Sequence, residues 1–129
     1  MFAVKATAEP SDIAPVQRRD FARVSHIAPI RVCHGGTWVD ALMVDLSEGG
    51  MSFALPERRG LDTGTRLVIE LPIGGAQLKL PASVVRTADV AIGEIGVAVR
   101  FTGITPRTED QIRHEVFALQ AQQRARGVA

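Results

Sequence analysis

The chain has 129 residues, 46% of them apolar, and a formal net charge of +1, which fits one globular domain able to bury its own core. Aromatics are 5% of the chain, with no Tyr and one Trp, which argues against a base-stacking platform for single strands, and the near-neutral balance speaks against a DNA or RNA partner held by many phosphate contacts. One cysteine, Cys33, builds neither a disulfide framework nor a zinc set, and a reducing compartment is expected.

Residues 1–17 mix Ala, Pro, Ser and charges without periodicity and read as a flexible N-terminal tail. The tail lacks the apolar region of a signal peptide. No apolar run reaches the ~18 residues of a membrane span, so a cytoplasmic protein without membrane insertion is expected. A single domain is then predicted over 18–126, made of an arginine arm at 18–26, a barrel at 27–104 and a helix at 109–125.

After the basic arm, Ile27–Cys33 reads as a first strand, closed by the turn signal Gly35-Gly36. Thr37–Asp45 reads as a second strand and Met51–Leu55, after Gly49-Gly50, as a third. Thr65–Leu71 alternates with Leu67, Ile69 and Leu71 on one face. Gln77–Arg86, beyond the Gly74-Gly75 turn, places Leu78, Leu80, Ala82 and Val84 together. Glu94–Phe101 turns Ile95, Val97, Val99 and Phe101 inward and Arg100 outward. Six short strands with glycine-rich turns predict a mainly β fold, an antiparallel barrel or sandwich. Closing the sheet removes exposed edges, which favours a six-stranded antiparallel β-barrel. The final segment changes period. Thr108 and Gln111 have capping-box spacing, and Ile112, Val116 and Leu119 form an apolar stripe that Phe117 widens, which predicts a C-terminal α-helix.

Two clusters carry chemistry. The first is Arg18, Arg19 and Arg23, three arginines without a lysine. The arginine fork matches phosphate oxygens and the O6/N7 edge of guanine, and its flat face stacks on a base. Arg19 and Arg23 are an even number of residues apart, so an extended segment turns both to one side, with Arg18 on the other. The second cluster is Asp45-Leu46-Ser47-Glu48-Gly49-Gly50, a strand end running into a tight turn. Asp45 has the chemistry to accept from the N1–H and N2–H₂ edge of guanine. Ser47 bonds either a phosphate oxygen or its own turn, and Gly50 permits a positive φ or a close ligand approach.

The pairing of Arg19-Asp20-Phe21-Ala22-Arg23 with Asp45-Leu46-Ser47-Glu48-Gly49-Gly50 resembles the R-x-x-x-R and D/N-x-S-x-x-G motifs of the PilZ domain family, the bacterial cyclic di-GMP receptors. Ser83-Val84-Val85-Arg86 and Ile95 to Phe101 resemble the closing strands of that family, so the likeness covers roughly 17–105. It implies a non-catalytic receptor whose ligand is held by Arg18, Arg19, Arg23, Asp45, Ser47 and Gly50, with Gln17 as a further lining residue. Arg18, just before the motif, favours an intercalated pair of cyclic di-GMP molecules. The arm would close over the ligand and change a surface facing a downstream protein. The competing expectation is a nucleotide-independent adaptor of the same fold.

Other residues carry less. His26, His34 and His114 lack metal-ligand spacing, and no catalytic triad or phosphate loop is present, so neither cofactor, metal nor enzymatic activity is expected. Trp38 alternates with Asp40 and Leu42 and is expected in core or rim packing, and Arg100 as an ordinary surface charge. Oligomeric state stays open.

Overall fold

The computed structural model describes residues 22–56 and 60–126. In chain order the elements are β1 (Arg23–His34), β2 (Thr37–Ser47), β3 (Gly50–Leu55), β4 (Arg66–Ile73), β5 (Ala76–Ala91), β6 (Glu94–Phe101) and α1 (Pro106–Ala125). The expectation of a mainly β chain with six antiparallel strands and a C-terminal helix is met.

Side-chain alternation builds the sheet. In β6, Ile95, Val97, Val99 and Phe101 are buried while Glu94 and Arg100 are exposed, as the period of two requires. β1 to β5 follow the same rule over most of their length, and the strands pair in the order β1-β2-β3-β6-β5-β4. β4 then pairs back on β1 through Arg31↔Glu70, Val32↔Ile69 and Cys33↔Val68, so the sheet closes on itself. Closure through these three pairs shortens the strand edge open to another chain. Leu46, Phe53, Leu55, Ile69, Leu71 and Val97 fill the interior, each essentially inaccessible, and each large side chain contributes about 1.5–3 kcal/mol of transfer free energy. Gly35-Gly36 and Gly74-Gly75 hold positive φ at both positions, the conformation of two-residue hairpin turns whose twist matches the strands they join.

Four irregularities break the alternation. The β1–β2 register shifts between Ser25 and Ala28. The β2–β3 register shifts between Met43 and Asp45, and the β5–β6 register between Val84 and Arg86 and again between Asp89 and Ala91. An extra residue in one strand re-aims every side chain beyond it. β1 therefore continues back to Arg23, four residues before the expected start at Ile27, and β5 continues past Arg86 to Ala91. Arg23 belongs to a strand and not to an arm.

The helix also starts earlier than expected. Thr105, and not Thr108, is the N-cap: its hydroxyl accepts from the Thr108 amide at 3.1 Å, and Pro106 opens the first turn. Proline suits that position because its missing N–H has no acceptor there and its φ is already helical. Ile112, Val116 and Leu119 seat α1 against the core. Phe117 is half exposed and lies off that stripe. The helix lies across the rim where β1 begins, β2 turns into β3 and β4 turns into β5. There Gln120 and Gln123 donate to the carbonyls of Arg23 and Ser25, and the Gly74 amide donates to Glu115.

Trp38 is not a core residue. It is half-buried, with the Arg31 guanidinium 5.0 Å and the Lys79 ammonium 5.6 Å from its ring centre, distances at which a cation is attracted by the ring face. Among the described residues no helix is long and apolar enough to cross a membrane.

Candidate ligand-binding site

The site grows from the start of β1 and the end of β2. Their register pairs Arg23 with Ser47 and Ser25 with Asp45, which makes Arg23 and Asp45 diagonal neighbours across the ladder. Plain alternation from Ala41 and Met43 would turn Asp45 into the core. The irregularity at Met43/Asp45 instead buries Leu46 and leaves the Asp45 side chain partly accessible. Arg23 Nη1 donates to Asp45 Oδ1 at 3.0 Å, with 60% of the arginine side chain exposed. An ion pair this accessible contributes about 0–1 kcal/mol to stability, so the arginine is readily lent to another anion.

The turn between β2 and β3 is held from inside. Ser47 is buried and its hydroxyl donates to the Gly50 carbonyl at 3.2 Å, so in this state it closes its own turn. Gly50 does not use a positive φ. It is paired with Arg100 of β6, and a Cβ added there would stand 2.2 Å from the Val99 carbonyl oxygen. The close approach that demands glycine is therefore made by the β6 backbone.

These residues line an open depression of about 310 Å³ on the outer surface of the sheet. Arg23, Asp45, Ser47 and Gly50 border it from β1 to β3, Arg86 from β5 and Arg100 from β6, with Ser52 and Ala98 as small residues between them. Three arginines meet one carboxylate, a local excess of positive charge in a nearly neutral chain. Such a charge distribution suits a multiply charged anion, and Asp45 offers one acceptor for a donor edge. Arg100 is thus more than an isolated surface charge. Arg86 is the residue that sequence reasoning missed. On the face shared by Leu80, Ala82 and Val84 it would point inward, and the irregularity after Val84 leaves it exposed opposite Ala98. Gln17, Arg18 and Arg19 lie outside the described residues.

Glu48, in the same turn, is held by the helix. Arg113 donates from Nε to Glu48 Oε1 at 2.9 Å and from Nη2 to Glu48 Oε2 at 3.1 Å, and its Nη1 meets Asp110 one turn earlier. The side-chain bond to Glu48, and after it the bond to Asp110, raises the guanidinium pKa above its ordinary value. Among the described residues no group of three or more His, Cys, Asp or Glu is placed to hold a metal ion.

Comparison with known proteins agrees with this architecture. The sequence matches the PilZ domain family over residues 17–118. Among solved structures, the PilZ domain of YcgR from Escherichia coli, determined with c-di-GMP, is 23% identical with a TM-score of 0.68, over 86% of this chain and 98% of that one. The PilZ domain of CeSA from a cellulose-synthesizing bacterium is 25% identical with a TM-score of 0.59, over 76% of this chain and 97% of that one. The Bacillus subtilis inhibitor of motility, MotI/DgrA, is 18% identical with a TM-score of 0.70, over 84% of this chain. The match spans 54% of that inhibitor, about half its length. A search of curated proteins gave no match. With four-fifths of its length matched by one family and the same fold in these structures, the chain belongs to the PilZ domain family.

Proposed function

We propose that this protein is a non-catalytic receptor for cyclic di-GMP, and that the depression bordered by Arg23, Arg86, Arg100 and Asp45 is where the dinucleotide lies. The observation that carries the reading is the gathering of three arginines around one carboxylate on an accessible sheet surface, in a chain of a family whose E. coli member YcgR was solved with this ligand. The ligand has two phosphates and two guanines. Arginine forks fit both the phosphate oxygens and the O6/N7 edge, and Asp45 accepts from the opposite guanine edge.

In this reading Arg18 and Arg19 add phosphate and guanine contacts to that of Arg23, and Arg18 favours an intercalated pair of ligands. Ligand phosphate takes over the Arg23 guanidinium now shared with Asp45, at small cost because the pair is exposed. Ligand contact with Arg18 and Arg19 then changes the surface offered to a downstream protein in the cytoplasm. Titration calorimetry of the full chain with cyclic di-GMP tests the reading. A stoichiometry of two ligands per chain supports the intercalated pair, and one ligand per chain removes that part.

A second reading, a nucleotide-independent adaptor, draws on the exposed apolar residues Ile27, Leu42, Val44 and Val90 around a groove of about 470 Å³ next to the depression. Partner capture indifferent to cyclic di-GMP would favour it, and capture that depends on the nucleotide favours the receptor.

A further inference from the structure

We infer that Arg113 is a positioning residue for the ligand site, and that α1 grips both halves of that site so that helix docking and ligand binding reinforce each other. The inference rests on the receptor reading above for its ligand, and on three contacts for its geometry. Arg113 forks Glu48, which sits between Ser47 and Gly49 in the turn that follows Asp45. Gln120 donates to the Arg23 carbonyl at 3.1 Å, and Gln123 to the Ser25 carbonyl at 2.6 Å. Thus one helix holds the strand that carries Arg23 and the turn beyond Asp45.

The direction of the coupling follows from which atoms are used. α1 takes backbone carbonyls of β1 and the Glu48 carboxylate, and none of its residues lines the depression. The side chains of Arg23 and Asp45 stay available to a ligand while their backbones are fixed. Arg113 is itself aimed by Asp110, and the bidentate geometry sets the turn in position and angle, not only in charge. Recognition by forked hydrogen bonds tolerates little displacement of the groups that make them. A docked α1 is therefore the state that binds, and by reciprocity ligand must strengthen the docking of α1 by the same factor.

The test uses the full chain with Arg113→Ala, Arg113→Lys and Glu48→Gln, titrated with cyclic di-GMP and followed by hydrogen exchange. Arg113→Ala is expected to raise Kd about tenfold, within the range of ordinary coupling between sites. Arg113→Lys, which keeps the charge but loses the fork, should fall between wild type and Arg113→Ala. Ligand should slow exchange in α1 of the wild type and do so less in Arg113→Ala. Without ligand, exchange over 46–51 should quicken in Arg113→Ala while the β5–β6 hairpin is unchanged. An unchanged Kd in Arg113→Ala and Glu48→Gln overturns the inference. If the wild type binds no cyclic di-GMP, the receptor reading falls by itself, and exchange over 46–51 then decides: unaltered exchange in all three variants overturns the positioning role.

Discussion

Gly50→Ala offers a sharp test of how the site is built. The added methyl would stand 2.2 Å from the Val99 carbonyl oxygen, 3.1 Å from Arg100 Cα and 3.2 Å from the Val99 carbonyl carbon. Favourable carbon–oxygen contacts begin near about 3.3 Å, so β3 and β6 must part by about 1 Å. The neighbouring bond from the Phe101 amide to the Gly49 carbonyl, now 2.9 Å, would stretch past the roughly 3.2 Å limit of a good hydrogen bond. A lost bond costs about 1 kcal/mol and overpacking against backbone about 1–3 kcal/mol. The ordinary gain from replacing a strand glycine by alanine, up to about 1 kcal/mol, offsets part of this. The net loss is about 1–4 kcal/mol, and the thermal midpoint should fall by about 4 °C or more. Gly96→Ala is the control. Its Cβ would meet Val90 Cγ1 at 2.9 Å, and Val90 is an exposed side chain free to rotate away, so the change should stay below about 1 kcal/mol. Denaturant unfolding of the two variants measures the difference. Gly50→Ala within about 0.5 kcal/mol of wild type would refute the argument from strand approach.

Three further outcomes follow from the same geometry. Ser47→Ala removes the buried donor to the Gly50 carbonyl and should cost about 1 kcal/mol in denaturant unfolding even without ligand; no loss would show that the turn does not need the hydroxyl. Arg86→Ala removes an exposed charge from the depression, so stability should stay within about 0.5 kcal/mol while the Kd for cyclic di-GMP rises several-fold, and an unchanged Kd would remove Arg86 from the site. Thr105→Ala removes the helix cap and should cost about 1 kcal/mol, whereas Thr108→Ala, which keeps the capping hydroxyl and its backbone amide donor, should cost less; the reverse order would restore Thr108 as the cap.

Much of the fold was legible because burial imposes a period of two. The bounds of β6 follow from Ile95 to Phe101 without help, and Gly35-Gly36 and Gly74-Gly75 mark the hairpins their positive φ values serve. What escaped the sequence lies where that period fails. The register shift at Ser25/Ala28 hid the first residues of β1 and made Arg23 look like part of an arm. The shift at Met43/Asp45 turns Asp45 outward against the local pattern, and the shift at Val84/Arg86 exposes an arginine that simple alternation buries. The glycine at 50 was legible but its reason was not, since the Val99 carbonyl belongs to a strand 49 residues away. Phe117 was misplaced for the opposite cause: its apolar body predicts burial, yet it falls off the buried stripe of α1. For Trp38 the alternation left core and rim open, and the two cations at its ring mark the rim. The ion pair between Arg113 and Glu48 joins residues 65 apart, and no local pattern announces it.

The receptor reading is tested most directly by titrating cyclic di-GMP into the full chain and into Arg23→Ala, with unfolding measured on both. Saturable heat is expected for the wild type, and no heat for Arg23→Ala in the tens of micromolar range, a binding free energy of about −6 kcal/mol. The two proteins should be nearly equal in stability, because the Arg23–Asp45 pair is exposed. Absence of heat from the folded wild type, or equal binding by Arg23→Ala, would contradict the receptor reading.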